Sequence, residues 1–220
     1  MDAIECILTR KSIRKFRPEP VPKDLLLDVV SAAMRAPSYK NSQPWEVVIV
    51  SGGKKDELSR ILVDLIETDT PIRADIPPPA SWPEENAARI KDNAQKRSLA
   101  LGLQPGGPDA AKKGRIANSR FYGAPHGLFL FQDSSLTAWS ILDMGAFAQS
   151  LMLAANAKGL GTVPQGFLID YSAEVKRFLG IPESKRLLLG MSIGYPDLSD
   201  KAATYVSPRC DIREIVKWVE

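Results

Sequence analysis

Apolar residues along the chain follow two spacings, which predict alternating helices and strands. A spacing of three and four residues predicts helices over residues 24–34, 56–67, 141–158, 172–179 and 211–219, and a first helix that begins after Asp2. Short apolar runs predict strands over residues 45–50, 127–131 and 186–193, and one that begins at residue 162. Gly52 and Gly53 are expected to close the first strand, and Ser172 to cap its helix. This interleaving predicts one domain of the α/β or α+β class.

Residues 68–124 interrupt this alternation. The segment is rich in proline, with Pro71, Pro77, Pro78, Pro79, Pro83, Pro105 and Pro108, and it contains a polar stretch with helical character over 84–101. Long irregular segments within a compact domain are generally functional. We therefore expect an insertion, or cap, that lies over another part of the molecule instead of forming sheet core.

The composition excludes several classes of protein. With 220 residues, of which 44% are hydrophobic and 25% charged, the chain is typical of a soluble globular protein and not of a disordered or collagen-like one. A single histidine, His126, and two cysteines, Cys6 and Cys210, disfavour zinc sites, His-based catalysis and a disulfide framework. The N-terminus lacks the pattern of a signal peptide, and no apolar run approaches membrane-spanning length. These features predict a cytoplasmic protein with reduced thiols, no metal and no membrane partner.

The net charge of +3 is concentrated in residues 1–17, where five basic residues outnumber two acidic ones. If this segment is extended, Arg10, Ser12 and Arg14 share one face, where guanidinium groups and a hydroxyl suit a phosphate monoester. A solvated run of charges is an alternative interpretation. A nucleic-acid-binding arm is a weaker one, because the rest of the chain adds no net positive charge.

Two further segments are candidates for ligand binding. Residues 38–43 offer hydroxyls and amides but no acid or histidine, which favours hydrogen bonding to an amide-like ligand edge over proton transfer, although a plain connecting loop has the same composition. The glycine-rich stretch 159–166 fails as a dinucleotide fingerprint, since it follows a helix and has Pro164 where a glycine is needed. It leaves open a close approach of the backbone to a flat ligand near Gly166.

Other features are expected to be structural. The string G-x-S-x-G at 190–194 has no histidine after Ser192, so Ser192 is expected to be a strand residue and not a hydrolase nucleophile. His126, at the start of a predicted strand, is expected to have a structural role, and Cys6 to be a small core residue.

Taken together, these segments resemble the FMN-dependent nitroreductase family over essentially the whole chain. The resemblance rests on Arg10-Lys11-Ser12-Ile13-Arg14, on 36–45 with Asn41-Ser42-Gln43-Pro44-Trp45, on 159–162, on Gly194-Tyr195-Pro196 and on Arg209. Trp82-Pro83 within the insertion, followed by 121–125, is similar to the subgroup that includes nitrobenzoate reductases.

The resemblance implies an α+β fold with a central mixed or antiparallel sheet flanked by helices, and an intertwined homodimer with two FMN sites at its interface. The residues implied to bind FMN are Arg10, Lys11, Ser12 and Arg14 for the phosphate, ribityl chain and pyrimidine edge; Arg209 for the phosphate; Pro37, Ser38, Tyr39, Asn41 and Gln43 from the partner or along the ring; and Pro164, Gln165 and Gly166 against the isoalloxazine. The residues expected to line the substrate pocket are Tyr39, Lys40, Phe121 and Tyr122, although packing is the more common role for an aromatic pair such as Phe121-Tyr122.

The implied activity is an FMN-dependent oxidoreductase that uses NAD(P)H to reduce nitroaromatics, quinones or similar small acceptors in a ping-pong cycle. No catalytic side chain is expected, because the flavin carries the chemistry. The chain departs from the family pattern at Gln165, where many members have an acid, and at Ser207, where many have a lysine. The alternatives are a flavin-dependent reductase of a non-nitro substrate, for example in reductive dehalogenation, and a nucleic-acid-binding protein.

Overall fold

The computed structural model describes residues 2–102 and 109–220, and its centre is a four-stranded antiparallel sheet. The strands are β1 (Glu46–Ser51), β2 (His126–Asp133), β3 (Gly161–Gln165) and β4 (Lys185–Gly194), in the order β1-β2-β4-β3. β2 and β4 occupy the middle, and β2 is buried along nearly its whole length. Strands covered on both faces read as continuous apolar runs, which explains why β2 and β4 could be predicted.

Helices cover both faces of the sheet. Those described are α1 (Ala3–Thr9), α2 (Lys23–Ala33), α3 (Gly52–Glu67), α4 (Glu84–Ala100), α5 (Ala110–Ser119), α6 (Ala138–Ala157), α7 (Ser172–Leu179) and α8 (Lys201–Thr204). Alternate residues of β2 point to opposite faces. Phe129 and Phe131 join the core cluster with α3 and α7, whereas Leu128 and Leu130 join the cluster with α2 and α6.

The predicted elements occur, with differences at their ends. Gly52 and Gly53 begin α3 instead of closing β1. Ser172 is the first residue of α7 and Tyr171 precedes it as the N-cap. The helix predicted over 211–219 is reduced to a 3-10 turn at Ile212–Glu214, because no hydrophobic face of this tail packs against the chain: its apolar side chains are exposed.

The segment 68–124 has two different parts. No side chain of α4 is buried, as expected of a cap. By contrast, α5 packs against α3, and the residues after it enter the core, where Phe121 and Ala124 have no exposed surface. The expectation that 68–124 lies outside the core is therefore wrong for α5 and the residues that follow it. Residues 103–108, with Pro105 and Pro108, lie outside the described residues.

The structural roles expected for three residues are confirmed. His126 Nε2 accepts a hydrogen bond from the backbone N–H of Val21 at 2.9 Å, and its Nδ1 lies beside the Ser51 hydroxyl. Cys6 is buried, and its thiol contacts the carbonyl oxygen of Leu153 at 3.2 Å. Ser192 is a buried residue of β4.

Within the described residues, α6 alone has the length and apolar composition that could cross a membrane. Seven of its side chains are nevertheless buried in this chain, among them Met144, Phe147 and Leu151. One side of this helix therefore contributes to the core of the chain.

Candidate functional site

The basic segment after α1 lies along the edge strand β3. Ser12 forms an isolated bridge with Thr162, and the N–H of Ile13 donates to the carbonyl oxygen of Thr162 at 2.9 Å. A Cβ on Gly161 would lie 2.7 Å from the Ile13 side chain, so glycine is needed for this close approach. The glycine-rich stretch thus serves to bring the basic segment against the sheet.

Arg10 and Arg209 come together although they lie at opposite ends of the chain. Burial lowers the pKa of Arg10, and the positive charge of Arg209 lowers it further. The Nε–H of Arg10 is buried and has no hydrogen-bond partner among the described residues. Arg10 and Lys11 also line a cleft of about 270 Å³ with Thr162. Two neighbouring guanidinium groups, one with an unused buried donor, favour the binding of an anion.

Arg14 lies in a different place from Arg10. It lines a second cleft, of about 600 Å³, together with Tyr122. Burial lowers the pKa of Arg14, the Tyr122 hydroxyl opposes this effect, and nearby Arg97 adds to it. The expectation of a single face for Arg10, Ser12 and Arg14 is therefore wrong, because the segment does not continue as a regular strand: only Ser12 pairs with β3, and the N–H of Arg14 donates to Ala202 instead.

The loop 38–43 has a strained backbone that is held by side chains. Lys40, Asn41 and Gln43 have positive φ angles of 50°, 58° and 47°, a conformation that costs non-glycine residues free energy. The Asp143 carboxylate accepts the N–H of Tyr39, with distances of 3.2 and 3.1 Å to its two oxygens.

Two further contacts hold this loop. The Tyr39 ring stacks on Trp139, with centroids 5.6 Å apart. The Ser38 hydroxyl accepts the N–H of Gln43 at 3.0 Å. The exposed side chains of Lys40, Asn41 and Gln43 are thereby presented in a defined arrangement.

Gln165 is turned into the protein and not toward a cleft. Its side-chain amide donates to the backbone and side-chain oxygens of Asn118 at 2.9 and 3.2 Å, and its Oε1 accepts from the Ser192 hydroxyl. The residue is 1% exposed, so its side chain is not available to a ligand and the expected ligand contact is limited to its backbone. Gly166 is exposed and follows immediately, and nothing lies within 4 Å of where its Cβ would be.

Of the residues expected to line a substrate pocket, Tyr122 lines the second cleft and Phe121 does not. Phe121 is fully buried and its ring meets Phe129 edge-on, so its assignment to a substrate pocket is wrong. The apolar ring takes the core position, whereas Tyr122 is only partly buried against the same core cluster. Tyr122 keeps its hydroxyl in a hydrogen bond with Asn118 at 2.9 Å. Tyr39 and Lys40 lie in the loop 38–43, where Tyr39 contacts Trp139.

Several residues that contact the predicted site residues or line a cleft were not predicted from the sequence. They are Asp143 and Trp139, which contact Tyr39, Asn118, which bonds to Gln165, and Lys113 and Arg120, which line the second cleft. Lys113 and Arg120 could have been predicted to lie together, because residues seven positions apart share one face of a helix.

The donor set fits the phosphate of FMN. The buried Nε–H of Arg10 has no hydrogen-bond partner among the described residues. Arg209, which lies near it, is also a donor and cannot satisfy it. A phosphate oxygen would satisfy that donor and offset the repulsion between the two cations.

No group of three or more metal-ligating side chains occurs in the part of the chain that the structure describes.

Comparison with known proteins gives consistent matches over most of the chain. The model of the nitroreductase family matches residues 7–195. A nitroreductase, NfnB, from Mycolicibacterium smegmatis is 34% identical, with 95% of this chain and 89% of that protein covered. A 4-nitrobenzoate reductase from Pseudomonas putida is also 34% identical, with 92% of this chain and 89% of that protein covered. The crystal structure of FMN-dependent NfnB from Mycobacterium smegmatis in complex with NADPH is similar with a TM-score of 0.93 and 33% identity, over 99% of this chain and 98% of that one.

Proposed function

The chain belongs to the nitroreductase family and has its α+β fold, and on that premise we propose that it is an FMN-dependent oxidoreductase. It takes electrons from NAD(P)H and reduces nitroaromatics, quinones or similar small acceptors, with donor and acceptor bound in turn. When bound, FMN supplies the hydride chemistry.

We base the proposal on one observation: the positive charges of Arg10 and Arg209 lie close to each other. Only tertiary structure brings these residues together, and the Nε–H of Arg10 is a buried donor without a partner among the described residues. Such a donor costs free energy unless a ligand satisfies it. We assign Arg10 and Arg209 to the phosphate, with Lys11 and Ser12 beside them.

The other residues would hold the remainder of the cofactor. Arg14 would contact the pyrimidine edge, and the backbone of 164–166 would lie against the ring, where Gly166 leaves room. The loop 38–43 would supply contacts through Ser38, Asn41 and Gln43. In this arrangement the chain binds and orients FMN, and excludes water from it.

We further propose a cytoplasmic homodimer in which the loop 38–43 of one subunit contacts the flavin of the other. Large apolar side chains are exposed at several places on the single chain, among them α1, the start of α6 and the C-terminal tail. They include Leu8 at 75%, Leu142 at 68%, Trp218 at 79% and Val219 at 81%. Apolar surface of this extent is expected to be covered by a second copy of the chain.

The experiment is the visible absorption spectrum of the purified protein with added FMN, before and after NAD(P)H is added without oxygen. We expect a flavin spectrum that bleaches with NAD(P)H and returns when a nitroaromatic is added. Arg10→Ala should lose FMN on gel filtration, whereas Arg35→Ala, which removes an exposed arginine after α2, should retain it. A folded protein that binds no FMN would refute the proposal.

A further inference from the structure

One face of α5 forms a wall with positive charge at both ends. Lys113, Ile116, Ala117 and Arg120 all line the second cleft. Their spacing of three, four and seven residues places them on one side of the helix. At 1.5 Å per residue, Lys113 and Arg120 stand about 10 Å apart along the helix axis. An apolar strip thus separates two cations.

Other residues that line the cleft add further positive charge. Arg14 and Lys15 line the same cleft, together with Tyr122 and Gly123, and no acidic residue takes part in the lining. The cleft has a volume of about 600 Å³, enough for a substituted benzene ring. Its chemistry suits a flat ligand that carries negative charge.

The positive charges that line the cleft are not neutralised by neighbouring carboxylates. Lys113, Arg120 and Arg14 form no salt bridge with any described residue. Lys112, the residue adjacent to Lys113, behaves differently: its Nζ contacts the Asp69 carboxylate at 3.1 Å, away from the cleft. The unpaired cations are therefore the ones that face the cleft.

We propose that this cleft binds the acceptor and that Lys113 recognises a carboxylate on it. The acceptors selected in this way are nitroaromatic carboxylates. The ring would pack between Ile116 and Tyr122, and the nitro group would point toward Arg14. Since Arg14 is also assigned to the flavin, this inference rests on the proposed function.

The orientation follows from exposure. Lys113 is exposed, so a carboxylate beside it can keep part of its hydration, whereas Arg14 is partly buried. A carboxylate loses more free energy on desolvation than a nitro group, because it carries a full charge. The charged end of the acceptor therefore lies outward, and its reducible end lies inward.

The test compares two acceptors that differ only in the carboxylate, 4-nitrobenzoate and nitrobenzene, in steady-state assays of the FMN-loaded protein. For Lys113→Met we expect KM for 4-nitrobenzoate to rise about tenfold, from the loss of one charge-assisted contact, with kcat little changed. KM for nitrobenzene should change less than about twofold. Lys112→Met removes the same charge one residue away and should leave both KM values unchanged.

Three outcomes would overturn the inference. The first is an equal effect of Lys113→Met on both acceptors, and the second is an equal effect of the two lysine substitutions. The third is a rise in KM for NADPH but not NADH, which would assign Lys113 to the donor's 2′-phosphate. If the FMN-loaded protein reduces neither compound, the part of the proposed function that assigns nitroaromatic acceptors is refuted. That result differs from the other three because no KM can be measured.

Discussion

The substitution Asp143→Ala should weaken FMN binding without unfolding the protein. Asp143 lies on α6 and accepts the N–H of Tyr39, at 3.2 and 3.1 Å from its two oxygens. A hydrogen bond to a charged group contributes about 1.5 to 3 kcal/mol when buried. Because this one is exposed, we take about 1 to 1.4 kcal/mol.

The loop 38–43 is sensitive to the loss of this hydrogen bond, because its backbone is strained. Its positive φ angles at Lys40, Asn41 and Gln43 each cost about 1 kcal/mol or more. A loop that carries such strain depends on its anchors, which are Asp143 and the stack of Tyr39 on Trp139. Loss of about 1 to 1.4 kcal/mol would lower the fraction of loops in the binding conformation. The apparent Kd for FMN would rise by up to about fivefold to tenfold, the limit reached when that conformation is the minor one.

The assay is a titration of apoprotein with FMN, followed by the quenching of flavin fluorescence, with thermal unfolding measured in parallel. Asp143→Asn keeps an acceptor oxygen and should recover part of the affinity. Asp28→Ala removes an exposed carboxylate of α2 and should have no effect. An unchanged Kd in folded Asp143→Ala would refute the idea that this contact positions the loop.

Two other predictions concern stability. In Gly127→Ala the new methyl would lie 2.4 Å from the Phe121 ring, so we expect a loss of about 1 to 3 kcal/mol in urea unfolding, whereas Gly53→Ala has open space and should be neutral or slightly stabilising. Burial, aided by a nearby lysine, lowers the pKa of His126, whose Nε2 already accepts from Val21. Because its native pKa lies below the unfolded value of about 6.5, the free energy of unfolding should be greatest above that pH and fall as the pH drops through it. Urea titrations at pH about 7.5 and 5.5 should show this fall, and His126→Ala should lack that contribution.

Local patterns alone were sufficient for the framework. The continuous apolar run 127–131 indicated a buried element, and its short length suits a strand, which the structure extends to His126–Asp133. The long apolar stretch of α6 likewise indicated a central helix. These elements could be predicted because a segment that is buried on both sides consists of consecutive apolar residues, which the sequence shows directly.

Relations between distant segments could be decided only by the tertiary structure. No local pattern reveals that Arg209 approaches Arg10, or that Asp143 holds Tyr39, because these pairs are separated by many residues and meet through packing of the elements between them. The directions of single side chains were equally hidden. Phe121 and Gln165 were expected at a binding site. The Phe121 ring is instead buried in the core, and the Gln165 side-chain amide hydrogen-bonds to Asn118 and Ser192. A sequence specifies which groups are available, whereas the free energy of burying or pairing them in three dimensions selects which ones a ligand can reach.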